Sequence, residues 1–246
     1  MLPVRGNVAR EGQVELEKLF MYDTLEKALD LHFEDQSLLQ MALTHRSFIY
    51  EKAGKGQQCN ERLEFLGDSV LACITADFLY CTFPELDEGE LSDVRAMLVK
   101  SDTLAKFASE LEIEACLRIG KGERNAGISQ RILASAFEAL LGAIYLDQGL
   151  EKVRACLLPR IQPLAQTIVA KRLFKDNKSR FQELAQAHDR ITPIYRLASQ
   201  EGPSHDREFT VEVLLGEQVA GVGQGRNKQT AEQAAASAAL QQRGWI

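Results

Sequence analysis

The sequence predicts two domains of different class, an all-α unit followed by a small α+β unit of α-β-β-β-α order. Three observations carry that prediction. Apolar residues recur at three- and four-residue spacing from Val14 to about Ala170, which is the period of helices. A polar, basic stretch, "KRLFKDNKS", interrupts the pattern at Lys171. Beyond it lie runs of single-residue alternation, the signature of strands, enclosed by two helical segments. The expected boundaries are 14–170 for the helical domain, 171–177 for a linker and 178–246 for the α+β domain.

In chain order the helical signal appears in "LEKLF", "LLQMALTH", "RLEFLGDSVLACITADFLY", "LSDVRAMLVKSDTLAKFASEL" and "QRILASAFEALLGAIYL". The stretches "EKAGKGQQ", "TFPELDEGE" and "GKGERNAGIS" read as loops. The last is glycine-rich but lacks the GxxxxGK[ST] order of a phosphate-binding loop. In the second domain "SRFQELAQAH" reads as a helix and "PIYRLASQ", "REFTVEVLL" and "QVAGVG" as strands. Phe209, Val211 and Val213 should share one face of the middle strand, with Thr210 and Glu212 on the other. The closing helix, "TAEQAAASAALQQ", sets alanines 231, 234, 235, 238 and 239 on one flat face suited to lying close against a sheet.

Composition narrows the function classes. The net charge is -6, and residues 1–177 hold 27 acidic and 21 basic side chains against 8 of each beyond them. The acidic surplus is therefore confined to the helical domain, and a polyanionic partner would need local basic patches. The five cysteines are scattered, and neither they nor the four histidines show zinc-site spacing. Reduced thiols in a cytoplasmic protein are the expectation. No secretory leader is expected from "MLPVRGNVAREGQ". The longest apolar run, Ala139–Leu146, is too short to cross a bilayer, so no membrane partner is expected.

The chemistry concentrates in "CNERLEFLGDSVL". On a helical wheel Glu61, Glu64 and Asp68 fall within roughly 60° of one another, with Leu63, Leu66 and Val70 nearly opposite. Like charges at this spacing repel by roughly 0.2–0.5 kcal/mol per pair. Either the stripe faces water or something offsets the repulsion. Gly67 within the helix suggests close approach of another element. Downstream, Glu138 is the only charge in Ile132–Leu146. A carboxylate on a helix apolar all round is costly unless paired or bound to a cation. Its partner could be an arginine such as Arg95, a purely structural role. Alternatively, Glu138 joins Glu64 and Asp68 around a hard divalent cation such as Mg²⁺, which takes oxygen ligands and retains water. Such sites commonly serve phosphoryl chemistry.

"NERLEFLGDSVL" resembles the signature of the ribonuclease III family of double-stranded-RNA endoribonucleases. "LTHRSF", "ELSDVRAMLV", "GKGE" and "FEALLGAIYLDQG" recur in the order of its nuclease domain. The C-terminal segment is similar to a double-stranded-RNA-binding domain, through "GPSH", "GVGQGRNKQTAEQAA" and the alanine-rich helix. The resemblance implies a homodimeric, Mg²⁺-dependent hydrolase, with Mn²⁺ able to substitute and no small-molecule cofactor. It implies 5′-phosphate and 3′-hydroxyl ends, two-nucleotide 3′ overhangs, and precursors of ribosomal, messenger and transfer RNA as substrates. Glu64 and Glu138 match metal-binding glutamates, and Asp68 matches a catalytic aspartate. Glu61 matches a glutamate at the rim of the site, and Phe65 the aromatic that plugs into the other subunit. Gln182 and Glu183 match residues that face one minor groove, and His205 one that reaches the next. Arg226, Asn227 and Lys228 match residues that grip the phosphates between.

The chain departs from the family pattern where "ASAFEA" replaces "ADxxEA", leaving Ser135 in the place of an aspartate. A hydroxyl there can still hold a water but adds no charge. A smaller departure is Ile128, where a second glycine is common. Gln229 and Glu232 stand where the family often has lysines, which implies modest, salt-sensitive RNA affinity. The alternative from another class is a double-stranded-RNA-binding protein that keeps the nuclease fold only as a dimerisation scaffold, a reading that Ser135 supports.

Overall fold

Helices form where the three- and four-residue spacing runs, and their ends are set by side chains that satisfy the free backbone groups. The computed structural model describes residues 21–52, 58–174, 176–203 and 207–245, so "LEKLF" and His205 lie outside the described residues. The chain resolves into two units, Met1–Lys171 and Arg172–Ile246.

The first unit is helical: α1 (21–29), α2 (Gln36–Ala42), α3 (Arg46–Lys52), α4 (Glu61–Thr82), α5 (Glu88–Val99), α6 (Ser101–Glu110), α7 (Ile113–Cys116), α8 (Lys121–Ala126), α9 (Gln130–Gln148) and α10 (Leu150–Ala170). The most extensive packing is α4 on α9, followed by α6 on α9. Leu71, Ile74, Leu104, Phe107, Phe137 and Leu140 form the buried centre. The rings of Phe107 and Phe137 lie 5.8 Å apart. As expected for a segment apolar all round, α9 is buried along most of its length.

Three segments differ from the sequence reading. "TFPELDEGE" is not all loop, because Asp87 and Glu90 form a capping box that starts α5 at Glu88. The following periodic run is two helices, broken at an extended Lys100, where the Thr103 hydroxyl donates to the carbonyl of Met97 at 2.8 Å. "GKGERNAGIS" contains the short helix α8, whose free N–H groups at Lys121 and Gly122 are taken by the Glu51 carboxylate. Among the described residues α4, rather than the Ala139–Leu146 run, has the length and apolar composition of a membrane span. Here Leu63, Val70, Leu71 and Ile74 are instead buried within the helical unit.

In the second unit, α11 (Asn177–Asp189) precedes an antiparallel sheet of order β1 (Ile194–Glu201), β2 (Glu208–Leu215), β3 (Gln218–Gly225), and α12 (Lys228–Gln242) follows it. In register, Tyr195 pairs with Val213 and Val213 with Gly221. Val211, Val213 and Leu215 face the helices and bury against Phe181, Ala185 and the alanines of α12. Ala231, Ala235 and Ala239 are buried as the flat face requires, while Ala234 and Ala238 sit half-buried at its edge. The strand supplies the complementary surface. A Cβ at Gly221, Gly223 or Gly225 would collide with the backbone of α12, so alternate glycines on β3 let the helix lie directly on the sheet.

Candidate functional site

Two glycines create the site. A Cβ at Gly67 would collide with the backbone carbonyl of Glu138, and one at Gly142 with that of Leu63. The backbones of α4 and α9 therefore touch at reciprocal positions, which side chains elsewhere would prevent. Residues 64 and 68, four apart on α4, and residues 135 and 138, three apart on α9, each share a helix face. The close crossing turns both faces into one cleft of about 620 Å³. Glu61, Glu64, Phe65, Asp68, Ser135 and Glu138 all line it. His45, Arg46, Asn60, Glu123 and Arg131 line it too. These five come from sequence positions whose helical phase gives no sign of convergence, although "LTHRSF" and "GKGE" contain three of them, His45, Arg46 and Glu123.

Burial and like charge set the electrostatics of the cleft. Burial, then the neighbouring charges of Asp68 and Glu64, push the Glu138 carboxyl up to about 7. Ser135 donates its hydroxyl to Glu64 Oε1 at 2.9 Å and so orients that carboxylate across the helix seam. Glu61 is held at the rim by Arg46, 3.3 Å away, and by the Cys59 thiol at 3.4 Å. Arg95, the structural partner considered for Glu138, instead lines a separate depression beside Asp77 and Tyr80.

Among the described residues no group of three or more histidine, cysteine, aspartate or glutamate side chains is arranged to hold a metal ion by itself. The donors line an open cleft, which fits a hydrated Mg²⁺ better than a dehydrated, fully protein-bound ion. Phe65, on the same helix, is 78% exposed at the edge of this cleft.

The expected RNA-contacting residues lie in the second unit. Gln182 and Glu183 are exposed on α11, and Glu183 stands 3.7 Å from Arg172. Arg226, Asn227 and Lys228 are exposed at the junction of β3 and α12. The Asn227 side-chain oxygen caps α12, accepting from the Thr230 N–H at 2.8 Å, so that atom is engaged within the fold. Lys228 begins the helix, whose N-terminus favours anions. Glu232, at a position where lysine was the commoner expectation, pairs with Lys178 at 2.6 Å and ties α12 to α11.

Comparison with known proteins bears on the family and the fold. Residues 35–164 match a profile described as Ribonuclease-III-like, and residues 177–243 one described as Double-stranded RNA binding motif. Ribonuclease 3 of Pelotomaculum thermopropionicum is 46% identical over 218 residues, 88% of this chain and 90% of that protein. Ribonuclease 3 of a Nitratiruptor species is 44% identical over 220 residues, 89% and 95% of the two chains. The nuclease domain of Campylobacter jejuni ribonuclease III superposes with a TM-score of 0.53 at 39% identity, covering 57% of this chain and 95% of that one. Sequence, fold and the family match across most of the chain agree, and this chain belongs to the ribonuclease III family, as a ribonuclease with a C-terminal double-stranded RNA binding motif.

Proposed function

We propose that the chain is a Mg²⁺-dependent endoribonuclease that hydrolyses double-stranded RNA in the α4/α9 cleft. The observation that carries this reading is that Glu64, Asp68 and Glu138, from two helices, line one cleft in which burial, then the charges of Asp68 and Glu64, raises the Glu138 pKa. Those three side chains would hold the ion, and Mn²⁺ would substitute. When bound, the ion supplies positive charge to a phosphodiester whose negative charge grows during attack. Ser135 keeps Glu64 oriented through its hydroxyl. Asp68, exposed in the cleft, orients the attacking water. Departure of the 3′-oxygen from phosphorus leaves 5′-phosphate and 3′-hydroxyl ends.

The RNA binding motif supplies most of the grip on duplex substrate, reading A-form shape rather than sequence. Precursors of ribosomal, messenger and transfer RNA are the substrates that suit such recognition, in a cytoplasm that keeps the five thiols reduced. Two chains would assemble as a homodimer, each cutting one strand to leave two-nucleotide 3′ overhangs. Exposed Phe65 beside the cleft supports that assembly. So does the Campylobacter jejuni nuclease domain, whose structure is described in terms of a region involved in dimer formation.

The test is single-turnover cleavage of a long RNA duplex across a Mg²⁺ titration, with binding measured separately in Ca²⁺. Wild type should cleave, and Glu138→Gln should bind normally without cleaving. Full activity in Glu138→Gln would remove the cation site from the mechanism.

A further inference from the structure

His45 belongs to neither carboxylate helix, yet its side chain lines their cleft. Its place is set by backbone bonding: its N–H donates to the Arg118 carbonyl at 2.9 Å, beside a parallel bridge between Thr44 and Arg118. The ring is oriented by Ser47. Nδ1 receives the Ser47 backbone N–H at 3.3 Å and lies 2.8 Å from Ser47 Oγ. A backbone N–H can only donate, so Nδ1 is the unprotonated acceptor. Ser47 Oγ itself accepts the Gly120 N–H at 2.9 Å, which leaves the hydroxyl proton for Nδ1. The chain of donors from Gly120 through Ser47 therefore places the imidazole's own proton on Nε2.

Neighbouring contacts hold this arrangement. Glu51, one helical turn from Ser47, accepts the Gly122 N–H at 3.2 Å. A Cβ at Gly120 would press on the Glu51 carboxylate and the Ser47 carbonyl. Burial holds the His45 pKa below its ordinary value, against the upward pull of Glu123, Glu61 and Glu64 and with the help of Arg46. With Nδ1 accepting the Ser47 N–H, the ring that lines the cleft is the neutral imidazole.

The cleft is crowded with acceptors: Glu61, Glu64, Asp68, Glu123 and Glu138. A phosphodiester brings more acceptors, so holding one there requires donors. An imidazolium would pair with a carboxylate and take it out of use, whereas a neutral N–H donor leaves the carboxylates free. We propose that His45 Nε2–H donates to a non-bridging oxygen of the RNA phosphodiester in the cleft, and that Ser47 is the positioning residue that fixes this tautomer. The proposal rests on the hydrolytic reading of the cleft.

Two measurements on the full chain test it. In ¹⁵N-histidine-labelled protein at pH 7, the His45 signal, identified by its loss in His45→Gln, should show Nδ1 unprotonated and Nε2 protonated. The other tautomer, or an imidazolium, overturns the proposal without reference to activity. In single-turnover cleavage, His45→Gln keeps an amide N–H near the Nε2 position, while His45→Asn is too short to reach it. His45→Asn should lower the rate about 100-fold, the scale of losing one positioned donor, with duplex binding in Ca²⁺ unchanged. His45→Gln should recover most of that loss. Equal rates in the two variants, both melting like wild type, or a wild-type rate in His45→Asn, overturn the proposal while cleavage abolished by Glu138→Gln keeps the parent reading. A wild type that fails to cleave at any Mg²⁺ concentration overturns both.

Discussion

Ser135 stands where the family resemblance leads one to expect an aspartate, and its bond to Glu64 shows what a hydroxyl supplies there. A hydroxyl can donate to a carboxylate and orient it, but it brings no charge of its own. Ligand charge tunes the affinity of hard-cation sites. Ser135→Asp is therefore expected to lower the Mg²⁺ concentration for half-maximal cleavage, read from a titration of single-turnover rates. An unchanged or higher requirement would mean that orientation of Glu64 matters more than charge at this position. His45 makes the same point from the other side. Its role is encoded in a bond to Ser47, two residues away, and in a bond from Gly120, 73 residues from Ser47.

Among the elements, the crossing of α4 and α9 decides whether a site exists. Gly67→Ala would drive a methyl into the Glu138 carbonyl. Overpacking of this kind costs roughly 3 kcal/mol, or a fall in melting temperature on the order of 10 °C for a domain of this size. Cleavage should drop with it, because the carboxylates ride on the helices that are forced apart. A variant that melts and cleaves like wild type would show that the helices can slide without consequence. At the other end of α9, Asp147 accepts the backbone N–H groups of Asp35 at 2.8 Å and Glu34 at 3.0 Å, pinning the start of α2. Burial pushes its pKa up, but the Asp35 N–H, Gln148 and the Glu34 N–H outweigh it and hold the carboxyl below its usual range. A depressed carboxyl stabilises the fold above its unfolded pKa of about 4. That contribution is lost as pH falls through the folded value. Asp147→Asn should cost about 1 kcal/mol near neutral pH, discounted for exposure. The gap from wild type should close below about pH 4 in denaturant titrations. A gap independent of pH would assign the loss to packing.

For the whole molecule, the questions are assembly and the division of labour between units. Phe65 is largely exposed, so its truncation should leave the melting of the fold almost unchanged. If it is buried against a second chain, the loss is roughly 3–5 kcal/mol per ring, felt twice across a twofold interface. Phe65→Ala should then sediment as monomer at concentrations where wild type is a dimer. A chain ending near Lys171 should fold, and should cleave at low salt and high Mg²⁺ while binding duplex more weakly. Lys228→Ala in the full chain should weaken binding to all duplex sequences alike, because phosphate contacts carry no sequence information. It should also lower the salt slope by about one. Sequence-selective loss would show that Lys228 reads base edges.

Much of this was legible in the residues alone, because it is local. A period of three and four marks helices, a period of two marks strands, and the break at Lys171 separates them. The acidic stripe of α4, the lone charge of α9 and the flat alanine face of α12 follow from spacing. Gly67 hinted at a close neighbour without naming it. What the tertiary structure alone decided is which distant groups meet. Ser135 bonds Glu64 across 71 residues, Glu138 feels Asp68 and Glu64 rather than Arg95, and glycines 221, 223 and 225 receive the alanines of α12. Helical phase fixes a side chain's direction about its own axis, but not the partner helix, its height or its distance. Those depend on where two backbones can touch, and here glycines at 67 and 142 set that contact and bring the carboxylates of α4 and α9 into one cleft.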